Sequence, residues 1–234
     1  MNLGLLTAVW GRPKLTDFVL RYYERLDFAY RVMCLSDDDP GGDPYFSTKW
    51  KYSYHDNDPL SNKWCEGMWV LEKEVDAVMI AGSDDLVTAN YIEYCKYLLE
   101  RGADYIFLPT LYFYDLSTGD MHYCLAQRLG LGRVLSRKLL DRLDWKPWED
   151  GLNKGLDGSM WRKVSALNDV KIVKIGVQAC SQLGIAAMDI KGAGENLWTY
   201  EQATGSLVGS KIKDPERVLR KHFPKQADAL LNWR

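Results

Sequence analysis

The strongest constraint on the fold is an alternation over residues 1–110, where apolar runs of strand length take turns with amphipathic stretches of helical period. Residues 3–9 are apolar and β-compatible, and Pro13 suits the first turn of a helix. Leu15, Phe18, Val19, Tyr22 and Leu26 then recur at helical spacing over 14–27. A second apolar run, 30–35, stops at the turn signal Ser36, Asp37, Asp38, Asp39, Pro40, Gly41, Gly42. Trp50, Tyr52 and Tyr54 alternate as in a short strand, and Trp64, Met68, Leu71 and Val75 mark a helix over about 61–75. Residues 77–81 read as a buried strand ending at Gly82, Ser83, Asp84 and Asp85. Tyr91, Cys95, Leu98 and Leu99 mark a helix closed by Gly102, before a strand at 105–108. This rhythm predicts an α/β fold with a mostly parallel central sheet flanked by helices. Such sheets bind ligands outside the carboxyl ends of their strands, which directs attention to residues 7–12, 36–39 and 83–85.

The pattern changes after residue 109. Residues 111–116 and 121–125 flank Ser117, Thr118, Gly119 and Asp120, a hairpin signal. Helical stretches at 136–143 and 159–167 enclose a Trp- and Gly-rich segment, and 170–175 and 185–190 are strand candidates. Asp214 and Pro215 form a cap and first turn for a terminal helix carrying Val218 and Leu219. With 234 residues, about 150 per domain allows one large domain or a core with a C-terminal helical extension. A 47% hydrophobic, 26% charged composition excludes wholesale disorder, and a net charge of -2 does not announce nucleic acid or anionic membrane. No apolar run approaches the ~18 residues of a transmembrane helix, and the start lacks the basic region of a signal peptide. Cys34, Cys65, Cys95, Cys124 and Cys180 have neither zinc nor disulfide spacing and read as core thiols of a cytoplasmic protein.

The chemistry lies at the strand ends. Asp84 and Asp85 at the ligand edge suit a hard divalent cation, Mg²⁺ or Mn²⁺, that would hold a diphosphate. Equally, either could cap the next helix. The Asp37, Asp38, Asp39 run fits hydrogen bonds from a ribose or base, or a solvated acidic turn. Arg12 beside Thr7 fits a phosphate-binding fork or a surface arginine. A Gly-rich phosphate loop, a dinucleotide fingerprint and a nucleophile elbow are missing, which disfavours P-loop ATPases, nicotinamide dehydrogenases and α/β-hydrolases. His55, His122 and His222 are too scattered for a metal site.

Four stretches, in order, resemble a small nucleotide-sugar glycosyltransferase of the GT-A fold, close to glycosyltransferase family 2. They are Thr7, Ala8, Val9, Trp10, Gly11, Arg12, Pro13; Ser36 to Asp39; Pro59, Leu60, Ser61, Asn62, Lys63, Trp64; and Gly82, Ser83, Asp84, Asp85. The likeness covers roughly residues 1–165. It implies a nucleotide-sugar-binding half at 1–110, with Thr7, Trp10, Arg12, Asp37, Asp38, Lys63 and Ser83 on the nucleotide, and an acceptor-side half at 111–234 of one compact domain. The last stretch resembles the Asp-x-Asp metal motif with a departure: Gly82 stands where the family's first aspartate falls, leaving Asp84 as ligand with Asp85 assisting. Residues 132–141, then Trp145 to Asp150, then Gly155 to Asp157, resemble the acceptor segment whose carboxylate acts as general base, with Asp157 ranked ahead of Asp150 and Glu149.

The resemblance implies inverting hexosyl transfer from a nucleotide-diphosphate sugar, a UDP-sugar by default, to a saccharide or other hydroxyl acceptor, assisted by Mn²⁺ or Mg²⁺. A hydroxymethylated base in DNA is an alternative acceptor, as in viral DNA modification. Arg128, Arg133, Arg137, Lys138, Arg142 and Lys146, with Lys211, Lys213, Arg217, Arg220, Lys221 and Lys225, would form its basic face, or ordinary amphipathic surface. Lys211 and Lys213 fit a flap over the diphosphate or a solvated loop, and Trp145, Trp148, Trp161 and Trp198 offer stacking faces or core bulk. A sugar nucleotidyltransferase lacks its Gly-rich signature here, and a non-catalytic binding module is kept open by Gly82.

Overall fold

The structure is a computed structural model that describes residues 1–40, 47–125, 130–192 and 199–233. Gly41, Gly42, Arg128 and Trp198 lie outside the described residues. In chain order the first half contains β1 (Leu3–Ala8), α1 (Pro13–Tyr23), β2 (Tyr30–Leu35), β3 (Lys51–Tyr54), α2 (Leu60–Leu71), β4 (Ala77–Ile80), β5 (Asp85–Val87), α3 (Ala89–Glu100) and β6 (Tyr105–Phe107). There follow β7 (Thr110–Asp115), β8 (Met121–Leu125), β9 (Arg133–Ser136), α4 (Arg137–Arg142), α5 (Leu156–Ser165), β10 (Ile172–Lys174) and α6 (Val177–Leu183). The chain closes with β11 (Ala187–Lys191), α7 (Tyr200–Ser206), β12 (Val208–Lys211), α8 (Pro215–His222) and α9 (Ala227–Leu231).

The main sheet has the order β10-β6-β9-β4-β1-β2-β3. Its pairs are parallel except where β9 runs antiparallel between β4 and β6. Side chains alternate across it. Leu3, Leu5, Met33, Leu35 and Met79 enter one core, and Leu6, Val32, Cys34, Val78 and Ile80 enter the other. Burial on both faces explains why these strands read as continuous apolar runs. Met68 and Leu71 of α2, Leu139 and Leu140 of α4, and Met160 and Val164 of α5 cover the second face. Val19 and Tyr23 of α1, Tyr91 and Cys95 of α3, and Phe113 and Ile190 of a second sheet cover the first. That second sheet, of order β12-β8-β7-β11-β5, was not expected from the sequence.

The decisive local event is at residues 81–84. The chain leaves β4 in the main sheet and enters β5, which pairs antiparallel with β11 in the second, setting Asp85 opposite Asp189. The helix-cap reading of Asp84 and Asp85 is thereby corrected, because α3 begins only at Ala89 with Thr88 before it. The hairpin at 117–120 forms as β7 and β8. Asp214 caps α8 by accepting from the Arg217 backbone, with Pro215 in the first turn. Lys211 ends β12, paired with His122, and its ammonium lies 2.7 Å from Asp120; neither it nor Lys213 lines the cavity described below. Part of the basic face is engaged in local contacts, while Lys213, Arg217, Lys221 and Lys225 are exposed. Arg133 is buried, Arg137 donates to the Val75 carbonyl, Lys138 lies 3.4 Å from Asp104, and Arg142 donates to the Asn168 carbonyl at 2.7 Å.

Candidate active site

The site floor is built where β1, β4, β5 and β11 meet. Gly11 and Arg12 both take left-handed backbone, with φ of 60° and 51°. For a residue with a Cβ this costs roughly 1–2 kcal/mol, and ion pairing holds Arg12 there. Its Nη1 donates to Asp84 Oδ2 at 2.6 Å and its Nη2 to Ser83 Oγ at 3.4 Å. Asp39 fastens the same loop by accepting from the Gly11 backbone N–H at 2.7 Å. From β11, the Lys191 ammonium lies 2.7 Å from Asp189 Oδ1 and 3.5 Å from Asp84 Oδ2. Asp85 turns its Oδ2 back to accept from the Gly82 N–H at 2.5 Å.

This packing explains Gly82. A Cβ there would stand 2.8 Å from Asp84 Oδ1 and 2.9 Å from Asp85 Oδ2, so the two carboxylates fill the space a side chain would need. The groups titrate unlike free ones. Burial pushes Asp84 up, but the charges of Arg12 and Lys191 outweigh it and hold it below the usual carboxylate value. Burial, with the charges of Asp84 and Asp189, pushes Asp85 well above that value. Asp189 is pushed up to about 6 by burial against the opposing pull of Lys191. Burial alone would lower Lys191, yet Asp189 and Asp84 carry it above the ordinary ammonium value. Oxygens of Asp84, Asp85 and Asp189 lie within 4.8 Å of one another, a set that could hold a divalent cation.

These groups form one wall of a cavity of about 760 Å³. Of the residues marked in the sequence, Trp10, Arg12, Ser83, Asp84, Asp85 and Asp157 line it. Asp157 sits in the first turn of α5, behind Gly155, its side chain 40% exposed. The Arg133 guanidinium stands behind it, donating to the Asp157 carbonyl at 3.1 Å and lying 3.8 Å from Oδ1. Although its side chain is partly open to the cavity, desolvation by the packed wall around it raises the Asp157 carboxyl above its usual value, with Arg133 and the Gly130 backbone N–H pulling the other way.

Other marked residues stand elsewhere. Glu149 is an exposed partner of Arg162 at 2.6 Å, and Asp150 is exposed; neither lines the cavity. Asp37 and Asp38 are exposed turn residues off the cavity wall. Thr7 is fully buried in β1, its hydroxyl without a hydrogen-bond partner among the described residues. Lys63 is fully buried too, its ammonium 2.5 Å from the Val9 carbonyl and 3.2 Å from Asn57, so it braces the β1 exit from beneath. Among the tryptophans, Trp148 reaches the cavity beside Trp64, their ring centroids 5.7 Å apart, while Trp145 packs in the core and the partly buried Trp161 packs against it. Sequence reasoning missed Asp189 and Lys191. Their one signal is two opposite charges two residues apart on a strand otherwise of Ala187, Met188 and Ile190.

No family model and no curated protein matches the chain. Solved structures do. S. aureus TarS 1–349 in complex with UDP-GlcNAc superposes with a TM-score of 0.58 at 13% identity, covering 99% of this chain and 70% of that one. The fold is GT-A. A second structure of TarS 1–349 matches over 74% of this chain and 58% of that one, with a TM-score of 0.50 at 12% identity. A longer TarS structure matches over 75% of this chain with a TM-score of 0.52 at 12% identity, and this chain spans 36% of its length. At these identities the GT-A likeness is one of fold. No helix among the described residues is long and apolar enough to cross a membrane.

Proposed function

We propose that the chain is a glycosyltransferase that moves a sugar, a hexose, from a nucleotide-diphosphate donor to a hydroxyl acceptor with inversion, and that the donor is a UDP-sugar. The observation that carries this reading is a cavity whose floor holds Arg12, Asp84, Asp85, Asp189 and Lys191 and whose wall presents Asp157. The floor lies at the carboxyl ends of β1 and β4, where open α/β sheets bind ligands. The UDP-GlcNAc bound to TarS supports the donor class.

Asp157 accepts the proton of the acceptor hydroxyl as that oxygen attacks the anomeric carbon, and Arg133 fixes its orientation from behind. Arg12 and Lys191 bring positive charge to the edge where the diphosphate leaves. A divalent cation, Mn²⁺ or Mg²⁺, held by Asp84, Asp85 and Asp189 would supply further neutralising charge when bound. Trp10, Trp64 and Trp148 offer flat faces for a saccharide. Five free buried cysteines support a reducing, cytoplasmic setting.

Thermal unfolding with a panel of nucleoside diphosphates, each with and without Mn²⁺, tests the reading. UDP is expected to raise Tm, since a ligand that binds only the folded state stabilises it by mass action. A panel in which no nucleotide moves Tm under either condition would overturn it.

A further inference from the structure

The spacing of the floor groups raises a question of occupancy. Magnesium and manganese sit roughly 2.0–2.2 Å from carboxylate oxygens. An ion bound to both Asp84 Oδ2 and Asp189 Oδ1 would enter the space where the Lys191 ammonium now stands, 3.5 and 2.7 Å from those same oxygens. An ion bound through those two oxygens and the ammonium could not share it. Lys191 is nearly buried, with 8% of its side chain exposed, so its ammonium has little water to fall back on. Arg12 bonds the same Asp84 oxygen from another side. Two cations thus face three carboxylates.

We propose that Lys191 is the built-in counter-cation of this site: it pairs Asp189 and Asp84 when no divalent ion is present, and it leaves them for the diphosphate when one binds. The donor-contact half of this inference rests on the proposed function; the exchange with metal does not. The site then has two exclusive arrangements, and the apparent metal affinity is reduced by the fraction of molecules in which Lys191 is off the carboxylates.

The test is Mn²⁺ binding, followed by the electron paramagnetic resonance of free Mn²⁺, to wild type, Lys191→Met and Lys191→Arg, followed by UDP binding in saturating Mn²⁺. If Lys191 is off the carboxylates about one-tenth of the time, Lys191→Met tightens Mn²⁺ about tenfold. Lys191→Arg, which keeps the charge, stays near wild type. The same Met variant weakens UDP in the presence of Mn²⁺. A residue that merely supports the fold would weaken both ligands, so opposite signs are the diagnostic result. Circular-dichroism melts check folding, and Lys191→Gln replaces the Met variant if that one does not fold. A measurement on wild type needs no substitution: with lysine labelled at ¹³Cε, Mg²⁺ should shift the signal of Lys191.

Unchanged or weaker Mn²⁺ binding in the Met variant, or no Mn²⁺ binding to any form, overturns the inference. UDP binding to wild type in that case leaves the proposed function standing. Tighter Mn²⁺ binding in the variant with no UDP binding to any form overturns the proposed function and the donor contact, and leaves the metal exchange standing.

Discussion

Asp157 combines three properties that a general base needs: a place on the cavity wall, a fixed backbone in the first turn of α5, and a carboxyl raised by burial. Replacing it with Asn should lower kcat/KM for transfer by about 10²–10⁴-fold while UDP still binds. In the proposed role the base would act ionised, so activity in wild type should fall as pH drops through a value above the usual 3.8. Stability follows the opposite sense. A carboxyl raised on folding gives stability that is present below its unfolded value and lost as pH rises through its folded one. Asp157→Asn removes that loss, and melts of both proteins at pH 4 and pH 8 would show the difference widening toward pH 8. Gly82 makes a second residue-scale prediction. Gly82→Ala would press a methyl against Asp84 and Asp85 and should cost about 1–3 kcal/mol by denaturant titration.

At the scale of elements, α2 shows two effects of known size in opposition. Gly67 is inside the helix, where Ala is better by about 1 kcal/mol. Its Cβ, however, would run into Cys34 Sγ and lie 2.7 Å from Leu6 Cδ1 on the sheet beneath. Overpacking of a tight core costs about 1–3 kcal/mol. Gly67→Ala should therefore be net destabilising by roughly 1 kcal/mol in equilibrium unfolding. The elements of the first half were legible because β1, β2 and β4 are buried on both faces and their runs are continuous. The rest was hidden for physical reasons. β5 has three residues, too few for any period, and its first is an aspartate that reads as loop. β9 opens with Arg133, whose charge is met by α5, an element distant in sequence. β12 is exposed throughout and carries no apolar pattern. The candidate site was legible where it follows a strand, as at Arg12 and Asp84. Asp189 and Lys191 pair with each other on β11, and they escaped because the Asp84 carboxylate that joins them to the floor comes from the β4 exit, which no local pattern reports.

At the scale of the molecule, the two sequence halves are interleaved. β9, from the second half, fills the gap between β4 and β6 from the first, and β11 pairs with β5. A fragment of residues 1–110 would expose the edges of β4 and β6 and should show no cooperative thermal transition, as a calorimetric scan would reveal. The switch of the chain from one sheet to the other between β4 and β5 reaches further than the site. Asp84 and Asp85 hang from that crossing point, while Asp189 and Lys191 belong to the sheet behind it. A molecule resting on the floor would therefore grip both layers at once, and its presence should be readable far from the contact. Backbone amides along β11 and the adjoining β7, well behind the cavity mouth, would trade their protons for deuterium more slowly, by up to about 100-fold when ligand stands at 100 times Kd.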